Sequence, residues 1–74
     1  MRFEATMGNL AKELGKKIRQ ARKAKGLSQD AFALTCQVDR SYMGRIERGE
    51  VNITVEKLYQ IAESLGCRPA ELLS

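Results

Sequence analysis

"DRSYMGRIERG", residues 39–49, sets three arginines and two glycines on a short apolar skeleton. At about 100° per residue, Arg40, Gly44, Arg48, Ser41 and Arg45 fall in that angular order on one arc of roughly 140°. Tyr42, Ile46 and Met43 take the opposite side, and Glu47 lies at the border between the two. A helix divided in this way has one face for a core and one basic face for solvent or a partner. Asp39 suits its N-cap, because a carboxylate there accepts amides that the first turn leaves unpaired. Gly44 is the awkward residue, weakening a helix interior by about 1 kcal/mol relative to alanine.

Outward from this helix the apolar period stays helical, and no stretch alternates like a strand. Upstream, "SQDAFALTC" forms a second helix capped by Ser28, with Asp30 in its first turn, and "QVD" is a tight connector. Before it, Leu10, Leu14, Ile18 and Ala21 make the stripe of a first helix that Gly26 stops. Downstream, "GEVNI" is a loop and Thr54 caps a fourth helix with Leu58, Ile61, Ala62 and Leu65 inward. Gly66 ends that helix, and Pro69 suits the first turn of a short fifth, "PAELL". The expected fold is therefore all-α, a compact five-helix bundle. Its second and third helices have the proportions of a helix-turn-helix. Residues 1–8 read as a loosely held arm and residues 9–74 as one domain.

Composition narrows the function. At 74 residues and 43% apolar, the chain suits one small globular domain. It has no histidine, no tryptophan and two cysteines, so a His-based catalytic triad cannot be built and a zinc site lacks its usual donors. One disulfide between Cys36 and Cys67 is formally open, but both occupy positions where a helix buries a small apolar group, so reduced core thiols are expected. No apolar run is long enough for a signal peptide or a membrane span, which points to the cytoplasm. No cofactor or small-molecule motif is evident. Charge is uneven: residues 1–26 hold eight Lys/Arg against Glu4 and Glu13, net +6, while residues 27–50 and 51–74 are each net −1. A basic segment on a small domain suits a polyanionic partner, or simply a solvated helix face.

Four pieces in order, "IRQAR", "GLSQ", "RIERG" and "LYQIAESLG", closely resemble the Cro/CI-type (Xre-like) helix-turn-helix family of bacterial and phage DNA-binding regulators. The resemblance covers roughly residues 10–73 and implies a lambda-repressor-like DNA-binding domain. The "ERG…NIT" ending and short length look most like the controller proteins of restriction-modification systems. Two positions depart from the pattern. Gln37 stands where the family usually has a left-handed glycine, at a cost of about 1 kcal/mol that the turn must offset. Gly44 stands where serine or another polar residue is commoner, which leaves one family contact without a side chain.

The resemblance implies a role for each exposed group. Arg40, Ser41 and then Arg45 would face base edges in the major groove of double-stranded DNA, where arginine can bond guanine O6 and N7 together. Gln29, Tyr42, Arg48 and Asn52 would meet the phosphate backbone, with Lys16, Arg19 and Lys23 adding non-specific attraction. The family commonly pairs the positions of Arg22 and Glu47 in a partly buried salt bridge, which would set the angle between the first and third helices. It also dimerises on pseudo-palindromic sites, so Val55, Tyr59, Leu72 and Leu73 are the candidate homodimer surface. Gly44 would let the reading helix approach the groove floor closely. An antitoxin that masks a toxin protein and autoregulates its operon is the alternative from another class; an enzyme is a distant third.

Overall fold

The computed structural model describes the backbone of residues 3–73 and the side chains of residues 10–73. Its element order is α1 (Phe3–Ala24), α2 (Gln29–Thr35), α3 (Arg40–Glu47), α4 (Val55–Leu65) and α5 (Pro69–Leu73). α1 packs on α3 and α5, α2 on α3, and α4 on α5. Ile18, Phe32, Cys36, Met43 and Ile61 are fully enclosed, with Ile46, Leu58, Leu65 and Leu72 completing the core around them. The backbone of α1 starts at Phe3 and runs past residue 8 without a break. The side chains of the expected arm lie outside the described residues. Within the expected stripe, Ile18 is buried, Leu14 and Ala21 are half-buried, and Leu10 is exposed at the edge of the bundle.

α2, α3 and α4 each start where a side chain accepts an orphan amide. Ser28 Oγ takes the Ala31 N–H at 3.0 Å, Asp39 Oδ1 the Tyr42 N–H at 2.7 Å, and Thr54 Oγ1 the Lys57 N–H at 3.0 Å. In α5 the Glu71 carboxylate reaches back to the Arg68 N–H at 3.0 Å, and this bond holds the acid below the usual carboxylate range.

The first four helices all end in the same reversal, in which a left-handed residue lets two amides turn back onto the last free carbonyls. At the end of α3, Gly49 N–H bonds Ile46 O at 3.0 Å and Glu50 N–H bonds Arg45 O at 2.9 Å. Gly26 and Gly66 play the part of Gly49 after α1 and α4. After α2 the same position is Gln37, at φ 59°. Its neighbours show what offsets the strain: Lys57 Nζ donates to Cys36 O at 3.3 Å, and Gln60 Nε2 donates to Gln37 Oε1 at 3.4 Å. Two side chains of α4 thus pin the turn between α2 and α3, and the turn fixes how α3 is presented.

α3 also lies unusually close to α1. A Cβ on Gly15 would overlap the carbonyl oxygen of Ile46 and stand 2.6 Å from that of Glu47. A Cβ on Gly49 would come within 2.6 Å of Lys12 Cα. Only glycine permits this approach, because backbone lies on both sides. Both cysteines are free thiols, Cys36 in the core and Cys67 half-buried, and burial pushes both above the usual thiol value.

Candidate nucleic-acid interface

The wheel reading of α3 holds for its side chains, while Gly44, on the same arc as the arginines, is buried beside the Arg48 guanidinium. Met43 and Ile46 are buried, Tyr42 is half-buried against the core, and Arg40, Ser41, Arg45 and Arg48 are exposed. Two shallow depressions adjoin this face. One, of about 340 Å³, is lined by Gln29, Arg40, Ser41, Gly44, Arg45 and Arg48. The other, of about 330 Å³, is lined by Arg19, Arg22, Gln29, Gly44, Glu47 and Arg48. Sharing Gln29, Gly44 and Arg48, they make one basic strip from α1 across the start of α2 onto α3. Arg19 thus joins the α3 residues, whereas Lys16 and Lys23 are exposed on α1 and line neither depression. Asn52 is exposed in the loop after α3.

Beneath the strip lies a closed polar knot. Arg22 Nε donates to Glu47 Oε2 at 2.7 Å and Nη2 to Glu47 Oε1 at 3.0 Å, both groups being buried. The remaining Nη1 donates to Leu27 O at 2.8 Å, in the loop before α2. Gln29 Nε2 donates to Glu47 Oε1 at 3.2 Å. One carboxylate therefore ties α1, α2 and α3 together, and among the described residues no buried side-chain polar atom is left without a partner. The hydrogen bond to Glu47 raises the Arg22 pKa further, so the guanidinium stays charged. The Arg22–Glu47 pair is the one the family resemblance implies, and Gln29 joins it as a third member. The N–H held by Glu47 fixes the Gln29 amide, whose Oε1 lies 3.6 Å from where a Gly44 Cβ would be.

Besides the Arg68–Glu71 pair at the start of α5, two ion pairs beside the basic face have no counterpart in the sequence pattern. Arg40 Nε lies 3.6 Å from Asp30 Oδ1 across the helix-turn-helix. Arg48 Nε donates to Glu50 Oε2 at 2.7 Å and Nη2 to Glu50 Oε1 at 3.3 Å. Along a helix, residues two apart do not face each other. This pair forms because Gly49, at φ 73°, turns the chain back so that Glu50 returns beside Arg48. Arg48 holds the Glu50 carboxyl below the usual carboxylate range, with a smaller contribution from Arg45.

On α4 and α5, Val55, Tyr59 and Leu73 are exposed. Leu72 is not: at 3% exposure it fills this chain's own core, because α5 turns it inward and its neighbour Leu73 outward. The apolar surface expected on α4 and α5 is therefore Val55, Tyr59 and Leu73 without Leu72.

Two short helices joined by a left-handed turn, the second offering a basic face on a wholly helical scaffold, define a helix-turn-helix DNA-binding domain. Comparison with known proteins makes the assignment specific. Residues 18–72 match the helix-turn-helix family model. The chain is 36% identical over 66 residues to control protein C.BamHI of Bacillus amyloliquefaciens, covering 88% of this chain and 82% of that protein. It is 36% identical over 69 residues to control protein C.MunI of a Mycoplasma species, covering 92% and 93%. The crystal structure of the restriction-modification controller protein C.AhdI from Aeromonas hydrophila superposes with a TM-score of 0.80 at 39% identity, over 84% of this chain and 94% of that one. The chain belongs to the Cro/CI-type (Xre-like) helix-turn-helix family of DNA-binding transcription regulators, which are not enzymes. Among the described residues, no helix is long and apolar enough to cross a membrane.

Proposed function

We propose that the protein acts as a homodimer that reads a pseudo-palindromic operator in double-stranded DNA inside the cell, and that it controls the genes of a restriction-modification system. The observation that carries the reading is the outward face of α3, where Arg40 and Ser41 in the first turn and Arg45 in the last are all exposed on a helix tied to α1 and α2 through Glu47. On this reading they contact base edges, the N-terminal part of the helix entering the groove first. Tyr42, Arg48, Asn52 and the oriented amide of Gln29 hold the backbone, and Lys16, Arg19 and Lys23 add salt-dependent attraction. The controller proteins among its relatives support the regulatory role, and the antitoxin alternative finds no support in them. Val55, Tyr59 and Leu73 suit a two-fold contact that sets two reading helices about one DNA turn apart.

Selection of bound sites from random duplexes tests this directly. The wild type is expected to recover a symmetric motif. Arg40→Ala and Arg45→Ala should each relax it at particular bases, losing about 1–3 kcal/mol of discrimination per lost arginine–guanine pair. Weak, motif-free binding that ignores both changes refutes base reading by α3.

A further inference from the structure

The reversal that ends α3 places a carboxylate inside the basic strip. At the position of Glu50 this motif usually carries an apolar residue packed against the residue five before it, here Arg45. Instead, Glu50 N–H bonds Arg45 O at 2.9 Å while the side chain takes the Arg48 guanidinium in a two-pronged grip. Exposed ion pairs contribute little to a fold, and both side chains here are roughly half open to solvent. The pair therefore needs another account than stability. Arg48 lies over Gly44, its Nη1 3.0 Å from where a Cβ would be, so the clamped guanidinium sits on the strip itself.

We infer that Glu50 is a positioning residue that sets DNA specificity: it acts as an internal counterion for Arg48, to be exchanged for a phosphate when the protein docks in register. The inference depends on the DNA-reading function proposed above and deepens it. An arginine already neutralised by a carboxylate brings no net gain in charge neutralisation to a duplex, and the carboxylate repels phosphates nearby. In a loosely held, non-specific complex nothing displaces it. In the docked complex the base contacts of Arg40, Ser41 and Arg45 hold Arg48 against the backbone, and the exchange goes through. Glu50 thus weakens non-specific binding more than specific binding. The charge balance of residues 27–50, net −1 in the segment that carries the reading helix, is consistent with this restraint, the general attraction being left to the +6 of residues 1–26.

The experiment measures wild type, Glu50→Gln, Arg48→Ala and the double variant against the selected site and a scrambled duplex of equal length between 50 and 200 mM salt. Glu50→Gln should tighten binding to the scrambled duplex by about threefold to tenfold at low salt and steepen its salt dependence by about one phosphate's worth of counterion release, a slope change near −0.9. Binding to the selected site should tighten less, so the specificity ratio falls; on the Arg48→Ala background the slope change should vanish and only the smaller gain from relieved repulsion should remain. An unchanged ratio and slope, or the same gain without Arg48, overturns the inference. If the wild type itself prefers no site, the DNA-reading function falls and the role of Glu50 falls with it.

Discussion

Two ion pairs in this small domain have nearly the same geometry and opposite surroundings. In each, an arginine Nε lies 2.7 Å from a glutamate Oε2, and Nη2 makes the second prong. The side chains of Arg22 and Glu47 are 9% and 3% exposed, whereas those of Arg48 and Glu50 are 60% and 49% exposed. Distance alone would rate them equal. Burial makes the first a structural joint, since neither charge can return to water without opening the bundle. Exposure makes the second an exchangeable contact, because water or a phosphate can replace either partner. Glu47 closes α3 and Arg48 caps it, so one helix end carries both a fixed inner pair and an adjustable outer one, beside the same depression.

Breaking the inner pair is expected to have the largest effect. Glu47→Gln keeps the shape but leaves the Arg22 charge buried without a partner, at a cost of about 3–5 kcal/mol. For a domain of this size that lowers the melting temperature by more than about 10 °C. The same change weakens the hold on Gln29, so any DNA affinity that survives should fall as well. Replacing both partners by apolar groups, Arg22→Met with Glu47→Leu, should recover much of the lost stability, because no unpaired charge remains. Thermal unfolding of the single and double variants decides the matter. A Glu47→Gln protein that melts like the wild type refutes the buried joint.

A smaller loss is expected from pushing α1 away from α3. Gly15→Ala sets a methyl group against the backbone carbonyls of Ile46 and Glu47, and neither can swing aside as a side chain would. Overpacking of this kind costs about 1–3 kcal/mol, more than the roughly 1 kcal/mol that alanine brings to a helix interior. Because the clash falls beside Glu47, the variant should also couple to the inner pair. In a double-mutant cycle with Glu47→Gln the two losses should add to less than their sum. Strict additivity would mean that the close approach and the ion pair are independent.

What could be read from the sequence follows the range of the forces involved. Caps and reversals depend on residues a few positions apart, and Ser28, Asp39, Thr54, Gly26 and Gly66 all serve at the ends expected of them. Arg22 and Glu47 stood at the edges of their apolar stripes, and the family resemblance joined them. Leu72 and Leu73 were beyond the period, since a five-residue helix has too few positions to show which of two adjacent leucines turns inward. Gly15 gave no signal because its requirement comes from carbonyls on another helix. Glu50 was hidden for a related reason. Its pairing with Arg48 exists only because Gly49 reverses the chain, and a helical wheel continued through residue 50 places the two apart.

The smallest expected effect concerns the outer pair, and it has the opposite sign. A Cβ on Gly44 would meet Arg48 Nη1 at 3.0 Å and Gln29 Oε1 at 3.6 Å, with no backbone beyond the helix's own near it. The tighter neighbour is the far end of a long, exposed side chain, so it can yield at little cost. Gly44→Ala should then keep most of the roughly 1 kcal/mol that alanine gains over glycine in a helix interior, raising the melting temperature by a few degrees. The methyl group also fills the floor shared by both depressions of the basic strip and displaces the guanidinium that Glu50 holds. Binding to the selected site should therefore stay level or weaken while the fold gains stability. A lower melting temperature would show that Arg48 cannot move, making the outer pair as rigid as the inner one. Tighter binding to the selected site would show that the missing side chain does not serve close approach.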